Sequence, residues 1–215
     1  MSKLVKEIVR REAFTTSRWT GGTTEELAIY PPGSLYAERT FEWRASVATI
    51  ETAESVFTPL PGYNRTLMLL DGELELILEG RGSVRLRPGD NCDFAGERET
   101  RSRGLATDFN LIYADGYRAE LRLLALPSGQ TDELLIIAAL ENTTQNRFYL
   151  VYAVEGTITI ATEDAGDATA KLIRLEPGDA LVVRVRPGDK AERWRLANAG
   201  EEETARAAVA GLLVP

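Results

Sequence analysis

Two stretches of the chain, RTLMLLDGELELIL at Arg65–Leu78 and RFYLVYAVEGTITIA at Arg147–Ala161, carry one pattern. In each, an apolar run meets a glycine and then resumes as an alternation of apolar and polar residues. Each is followed by an apolar segment broken by Pro-Gly-Asp: VRLRPGDNCDF at Val84–Phe94 and IRLEPGDALVV at Ile173–Val183. Gly72 and Gly156 stand 84 residues apart, and the two Pro-Gly-Asp turns, at 88–90 and 177–179, stand 89 apart. A longer hairpin around TEDAGDATA, Thr162–Ala170, accounts for the difference. Self-similarity at this period marks a duplicated structural unit. Proline fixes φ and glycine permits positive φ, so each Pro-Gly-Asp predicts a turn between strands. A third RPGD at Arg186–Asp189 predicts another.

Period two dominates outside the turns. Leu74, Leu76 and Leu78 alternate with Glu73, Glu75 and Glu79, and Leu181, Val183 and Val185 alternate with Arg184 and Arg186, so one face of each segment is apolar and the other charged. Short strands of this kind separated by turn signals predict an all-β sandwich or barrel. Strand, glycine turn, strand, Pro-Gly-Asp and strand resembles half of a cupin. Two copies resemble a bicupin: two tandem cupin-like β-barrels or jelly rolls in one compact unit, with an N-terminal half at 1–115 and a C-terminal half at 116–215. The segment Leu105–Thr144 is expected to join the halves and supply shared strands. The C-terminal EEETARAAVAGLLV is open to two readings, a helix favoured by its alanines or a closing strand.

The 215 residues are 44% apolar and 27% charged, which is globular composition. A net charge of −8 opposes binding to nucleic acid or to anionic membranes, so a small-molecule partner is expected, with no nucleic acid and no membrane. The N-terminal MSKLVKEIVRREAF lacks the apolar core of a signal peptide, and the longest apolar run, Leu134–Leu140, is far too short to span a bilayer. Cys92 is the single cysteine, so no internal disulfide forms, and a cytoplasmic location is expected. Without a histidine base, Cys92 reads as a small buried hydrophobe rather than a nucleophile. Cupins commonly hold a metal with three histidines and a glutamate, and this chain has no histidine. No metal and no cofactor are therefore expected, and any general acid or base has to be a carboxylate shifted by burial.

A more specific set of residues lies in the first half: FEWRAS at Phe41–Ser46, FTPLPGYNR at Phe57–Arg65, LLDG at Leu69–Gly72 and TDFNLI at Thr107–Ile112, preceded by Trp19, Gly22, Thr24, Glu26 and Pro31 of WTGGTTEELAIYPP. In order and spacing these resemble the HutD/Ves family, most strongly over residues 14–115. Members typically place an asparagine soon after that tryptophan, where this chain has TGG. The resemblance implies a bicupin without established catalysis. HutD-type members are associated with histidine utilisation, in a regulatory role that involves binding a formylated pathway compound such as formiminoglutamate. Ves-type members have no settled role.

The chemistry of the same residues reads independently of the family. Arg44, Ser46 and Ala48 share one face of their strand, so the guanidinium has small neighbours, and its fork of donors suits a carboxylate. Arg65 follows the PLPGYN turn, where a second cation is able to share the anion. Asp108 and Asn110 point to one side of a strand and together orient an amide or formimino group. Trp19 supplies an apolar wall, Gly21 and Gly22 offer backbone N–H groups, and Glu26 pairs with an arginine. The plainer account has the arginines in structural ion pairs, Arg65 with Glu26 or Asp108, and Asp108 and Asn110 bonded to the backbone. The ligand-binding set is thus Arg44, Ser46, Arg65, Asp108, Asn110, Trp19 and Glu26, in a binding or regulatory module for a small anionic metabolite. Two other classes stay open: a metal-independent enzyme using a raised-pKa carboxylate from Glu26 or Asp108, and an interaction module with a closed barrel. Exposed strand edges also allow a homo-oligomer.

Overall fold

The alternating leucines form strands whose apolar side chains meet between paired sheets. A computed structural model of the chain describes residues 4–136, 146–163 and 171–213. The expected hairpin loop at TEDAGDATA lies largely outside these residues, at 164–170. The strands are β1 Val5–Val9, β2 Thr15–Trp19, β3 Gly22–Tyr30, β4 Trp43–Ile50, β5 Glu54–Val56, β6 Tyr63–Gly72, β7 Leu74–Leu78, β8 Gly82–Leu86, β9 Asn91–Ala95, β10 Thr100–Arg103 and β11 Ala106–Ala114. They continue as β12 Arg118–Pro127, β13 Thr131–Ile136, β14 Arg147–Glu155, β15 Ile158–Glu163, β16 Lys171–Leu175, β17 Ala180–Val185, β18 Glu192–Asn198 and β19 Thr204–Leu213. Two short 3₁₀ turns, Arg11–Ala13 and Tyr36–Glu38, are the only helical elements among the described residues.

The chain divides into two units: Phe14–Arg122, and the residues up to Ala13 together with those from Leu123 onward. Against the expected halves at 1–115 and 116–215, the N-terminal strand is therefore grouped with the second half. In the first unit a six-stranded sheet, β2-β3-β4-β11-β6-β9, faces a four-stranded sheet, β5-β10-β7-β8. Ile50, Leu67, Leu69, Leu74, Leu76 and Leu78 fill the space between them. In the second unit the sheets run β1-β17-β14-β19-β12 and β13-β18-β15-β16, around a core that includes Trp194, Leu181 and Ile160.

The sequence repeat is a repeat of topology. The order β9-β6-β11-β4 in the first unit matches β17-β14-β19-β12 in the second, and β8-β7-β10-β5 matches β16-β15-β18-β13. Each unit is a cupin-like jelly roll, and among the described residues no sheet closes into a barrel. The C-terminal stretch is strand β19. Its alanines serve a central strand flanked by β14 and β12, where Ala205, Ala207, Ala208 and Ala210 are wholly buried. Sheet pairing overrides the helix propensity of those alanines. Cys92 is buried in the first unit's core, and burial pushes its thiol above the usual value.

The Pro-Gly-Asp turns use their aspartate as well as their proline and glycine. In all three, the carboxylate accepts from the backbone N–H of the residue before proline: Asp90 from Arg87 at 2.8 Å, Asp179 from Glu176 at 2.9 Å and Asp189 from Arg186 at 2.7 Å. The repeated glycine has a steric reason too. Gly72 turns β6 into β7 at φ +84°, and a Cβ there would stand 2.4 Å from the Leu105 carbonyl oxygen. Gly72→Ala is expected to lower stability by about 2 kcal/mol through left-handed strain and this clash, a fall of roughly 4–8 °C in the thermal midpoint. Gly116→Ala, at φ +95° with no atom within 4 Å of the new Cβ, is the control for strain alone and should cost less.

Candidate functional site

The inner face of the six-stranded sheet changes character from strand to strand. Leu67 and Leu69 of β6 and Ile50 at the end of β4 are apolar and packed. Across the rest, period-two alternation and strand register assemble polar side chains in rows. Ser46 of β4 stands opposite Asn110 of β11 and Glu26 of β3, and Arg44 of β4 stands opposite Ile112 of β11, which in turn stands opposite Arg65 of β6. Asp108 lies opposite Ala48 on one side and Leu69 on the other. Two register shifts occur at the carboxylates, between Glu26 and Ala28 and between Thr107 and Asp108. Such bulges re-aim side chains locally.

These residues border a cavity of about 290 Å³, near the lower end of ligand-pocket volumes. Arg44, Ser46, Arg65, Asp108, Asn110 and Trp19 line it. Glu26 does not, and acts one step back: its Oε2 accepts from Arg44 Nε at 2.6 Å. Gly21 and Gly22 do not line it either. Gly21 lies beneath the Trp19 ring and its carbonyl accepts from Glu51 N–H at 2.8 Å, while Gly22 pairs with Ile50 in the sheet. Trp19 Nε1 donates to Thr24 Oγ1 at 3.1 Å, which fixes the indole as a wall.

The two arginines differ. Arg44 is satisfied on several sides: beyond Glu26, its Nη1 donates to Ser46 Oγ at 3.3 Å, and its guanidinium stacks 4.4 Å from the centre of the Tyr36 ring. Arg65, only 6% exposed, donates through Nη2 to the Thr58 carbonyl and lies beside the Phe57–Phe94 pair, 5.7 and 5.9 Å from the two ring centres. Its Nε–H has no partner among the described residues, and no carboxylate forms an ion pair with it there, contrary to the structural account in which Glu26 or Asp108 does so. Burial pushes the Arg65 guanidinium below its usual value, against the favourable field of Tyr36 and Asp108.

Asp108 is 0% exposed, and its Oδ1 accepts from Asn110 Nδ2, so the pair bonds to itself rather than to the backbone. Asp108 Oδ2 and Asn110 Oδ1 are left without partners. Burial pushes the Asp108 carboxyl up to about 8 despite the opposing attraction of Arg65. Isolated buried polar atoms each cost about 1–3 kcal/mol. Three such atoms, Arg65 Nε, Asp108 Oδ2 and Asn110 Oδ1, belong to residues that line one cavity. The donor set is hostile to a divalent cation, because three arginines, Arg18, Arg44 and Arg65, line the cavity and burial pushes its one lining carboxyl, Asp108, up to about 8. Among the described residues no three metal-ligating side chains converge.

Several lining residues carry no signal in the sequence. Tyr36 comes from a 3₁₀ turn, and Phe57 and Thr58 from the segment after β5. Only the FTPLPGYNR context pointed near the last two.

Comparison with known proteins adds the family. Residues 11–204 match the HutD family model. The chain belongs to the HutD family. Among solved structures, this HutD-family chain is similar to a conserved protein of unknown function, PA5104, from Pseudomonas aeruginosa PAO1, with 25% identity, a TM-score of 0.76 and coverage of 97% of this chain and 98% of that one. It is similar to HutD from Pseudomonas fluorescens SBW25, solved in a formate condition, with 21% identity, a TM-score of 0.69 and coverage of 98% and 100%. The fold extends to oxalate decarboxylase from Lactobacillus farciminis in a formate complex, at 9% identity, a TM-score of 0.63 and coverage of 98% and 86%.

Proposed function

We propose that this HutD-family protein is a metal-independent binding module for a small carboxylate, serving a regulatory or sensing role for an anionic or formylated metabolite such as formiminoglutamate. The observation that carries this reading is the unpartnered Nε–H of the buried Arg65, beside the unpartnered Asp108 Oδ2 and Asn110 Oδ1 in one cavity. A protein that buries a guanidinium without a carboxylate partner retains the desolvation cost of that charge. A ligand carboxylate would offset it with charge-assisted hydrogen bonds. Trp19, Phe57 and Tyr36 give the remainder of the ligand an apolar lining.

The test is thermal unfolding against a panel: formiminoglutamate, other histidine-degradation intermediates, formate and simple carboxylates, with and without divalent metals. Formate is the smallest probe, and the similar HutD from P. fluorescens was solved in a formate condition. A ligand specific to the folded state stabilises by about 2.7 kcal/mol at a hundredfold excess over its Kd. The reading expects a raised midpoint with at least one carboxylate and no requirement for metal. No shift with any carboxylate, or a shift only with a metal, would remove it. The buried, protonated Asp108 favours a second reading, acid–base chemistry at the same site. Conversion of an added carboxylate by metal-stripped protein, lost in Asp108→Asn, would establish that one instead.

A further inference from the structure

The charge state of Asp108 decides what the cavity offers an anion. The charged and titratable groups facing it come from every surrounding element. Arg65 projects from β6, Arg44 from β4 and Tyr36 from the 3₁₀ turn, while Arg18 from β2 stands at the exposed rim, 3.7 Å from Glu51. Glu26 of β3 neutralises Arg44 at 2.6 Å. Arg39, stacked 3.9 Å from the centre of the Tyr36 ring, also acts on Arg65 but does not line the cavity, so the balance inside it is between Arg65 and Asp108. With Asp108 ionised, the two cancel and an incoming anion meets both a neutral site and a buried carboxylate. With Asp108 protonated, Arg65 supplies one uncompensated positive charge.

The hydrogen-bond geometry says where that proton resides. Oδ1 of Asp108 accepts from the Asn110 amide, so the acid hydrogen belongs on Oδ2, the oxygen without a protein partner. Arg65 Nε–H and Asp108 Oδ2–H are then two donors, and Asn110 Oδ1 is one acceptor. We propose that the cavity binds its ligand with Asp108 protonated: Asp108 Oδ2–H and Arg65 Nε–H donate to a carboxylate, and Asn110 Oδ1 accepts from an N–H or O–H carried beside it. The ligand class is a small carboxylic acid bearing a neighbouring donor, an N-acyl amino acid or a 2-hydroxy acid. Binding to the ionised form of the site takes up one proton, so that ionised protein, ligand anion and one proton give the protonated complex. This rests on the reading of the cavity as a carboxylate site. The upward displacement of the Asp108 carboxyl by burial supports it, since the proton is then already present at neutral pH, and a bound anion holds it more firmly still.

The test is calorimetric titration of the full chain with N-formylglycine, lactate and acetate between pH 6 and pH 10, where the ligands' own carboxyl groups stay ionised. Each titration is repeated in two buffers of different ionisation enthalpy, which reads proton uptake directly. Affinity is expected to be constant below about pH 8 and to fall about tenfold per pH unit above it. Up to one proton should be taken up in the upper range and none in the lower. N-formylglycine or lactate should bind about tenfold more tightly than acetate, the worth of one added hydrogen bond. Asp108→Asn, which cannot ionise, should lose both the pH dependence of affinity and the proton uptake. Binding that stays level to pH 10 with no proton uptake in the unmodified protein would overturn the inference while leaving the carboxylate site intact. An absence of binding by every probe would overturn both. The unmodified protein alone decides the matter if the variant does not fold.

Discussion

Arg65→Met is expected to weaken carboxylate binding by about 2–5 kcal/mol, a loss of roughly 30- to 5,000-fold, while leaving the ligand-free protein at least as stable as before. The two halves of that expectation have one cause. Arg65 is 6% exposed, its Nε–H is unpartnered among the described residues, and its Nη2 donates to the Thr58 carbonyl. A buried charge without an ionic partner carries a desolvation penalty, and an apolar side chain of similar length beside Phe57 and Phe94 removes it. Removing Arg44 should behave differently. Its Nε is bound to Glu26 and its Nη1 to Ser46, so Arg44→Met strands a half-buried carboxylate and is expected to destabilise the free protein by about 1–2 kcal/mol. Calorimetric titration with the carboxylate found in the thermal panel, beside thermal unfolding of each free variant, checks both. If the folded Arg65→Met protein binds with the parent's affinity, Arg65 is structural. A marked fall in its ligand-free midpoint would show that the guanidinium stabilises the fold.

The contrast between the two arginines shows where the sequence stops being informative. The all-β jelly-roll pair was legible from the repeated glycine and Pro-Gly-Asp turns, because both encode local backbone geometry that survives translation into strand order. The facing of Arg44, Ser46, Asp108 and Asn110 was legible as well, since period two alone decides which side of a strand a residue occupies. Which arginine is already neutralised was not legible. That depends on Glu26 approaching Arg44 across the β3–β4 pair, near a register shift that no local pattern announces. Tyr36 was missed for a related reason: it reaches Arg44 from a 3₁₀ turn rather than from a strand.

The repeat itself supplies an internal comparison for the site. In the second unit Tyr149 pairs with Gly211, Val151 with Val209 and Ala153 with Ala207, as in the first unit Arg65 pairs with Ile112, Leu67 with Asn110 and Leu69 with Asp108. The positions of Arg65, Asn110 and Asp108 are thus taken by Tyr149, Val209 and Ala207, all within one hydrophobic core. The same backbone therefore folds around an apolar interior in one unit and accepts a polar cavity in the other. The polar residues of the first unit are not demanded by the fold, which supports the proposal that they serve a ligand.

That argument carries a stability cost, and Asp108→Asn is expected to reveal it. The folded-state pKa is raised to about 8, against an unfolded value near about 3.9. Between those values the unfolded chain has released the proton and the native protein still holds it, so native stability declines as pH rises from about 4 to about 8, and levels off above. The penalty at pH 8 and beyond has an upper bound of about 6 kcal/mol, at about 1.4 kcal/mol per pKa unit. Asparagine cannot ionise in either state, so the variant lacks this decline. Stability of parent and variant should converge towards pH 4 and separate in the variant's favour towards pH 8, by a few kcal/mol after relaxation of the site. Denaturant unfolding at intervals from pH 4 to pH 9 measures the separation directly. A difference that is constant with pH would mean that Asp108 ionises near its ordinary value, and that the cavity is electrically neutral before any ligand arrives. A separation that grows with pH would mean that the fold retains a carboxyl it would be more stable without, in the place where its duplicate half carries Ala207.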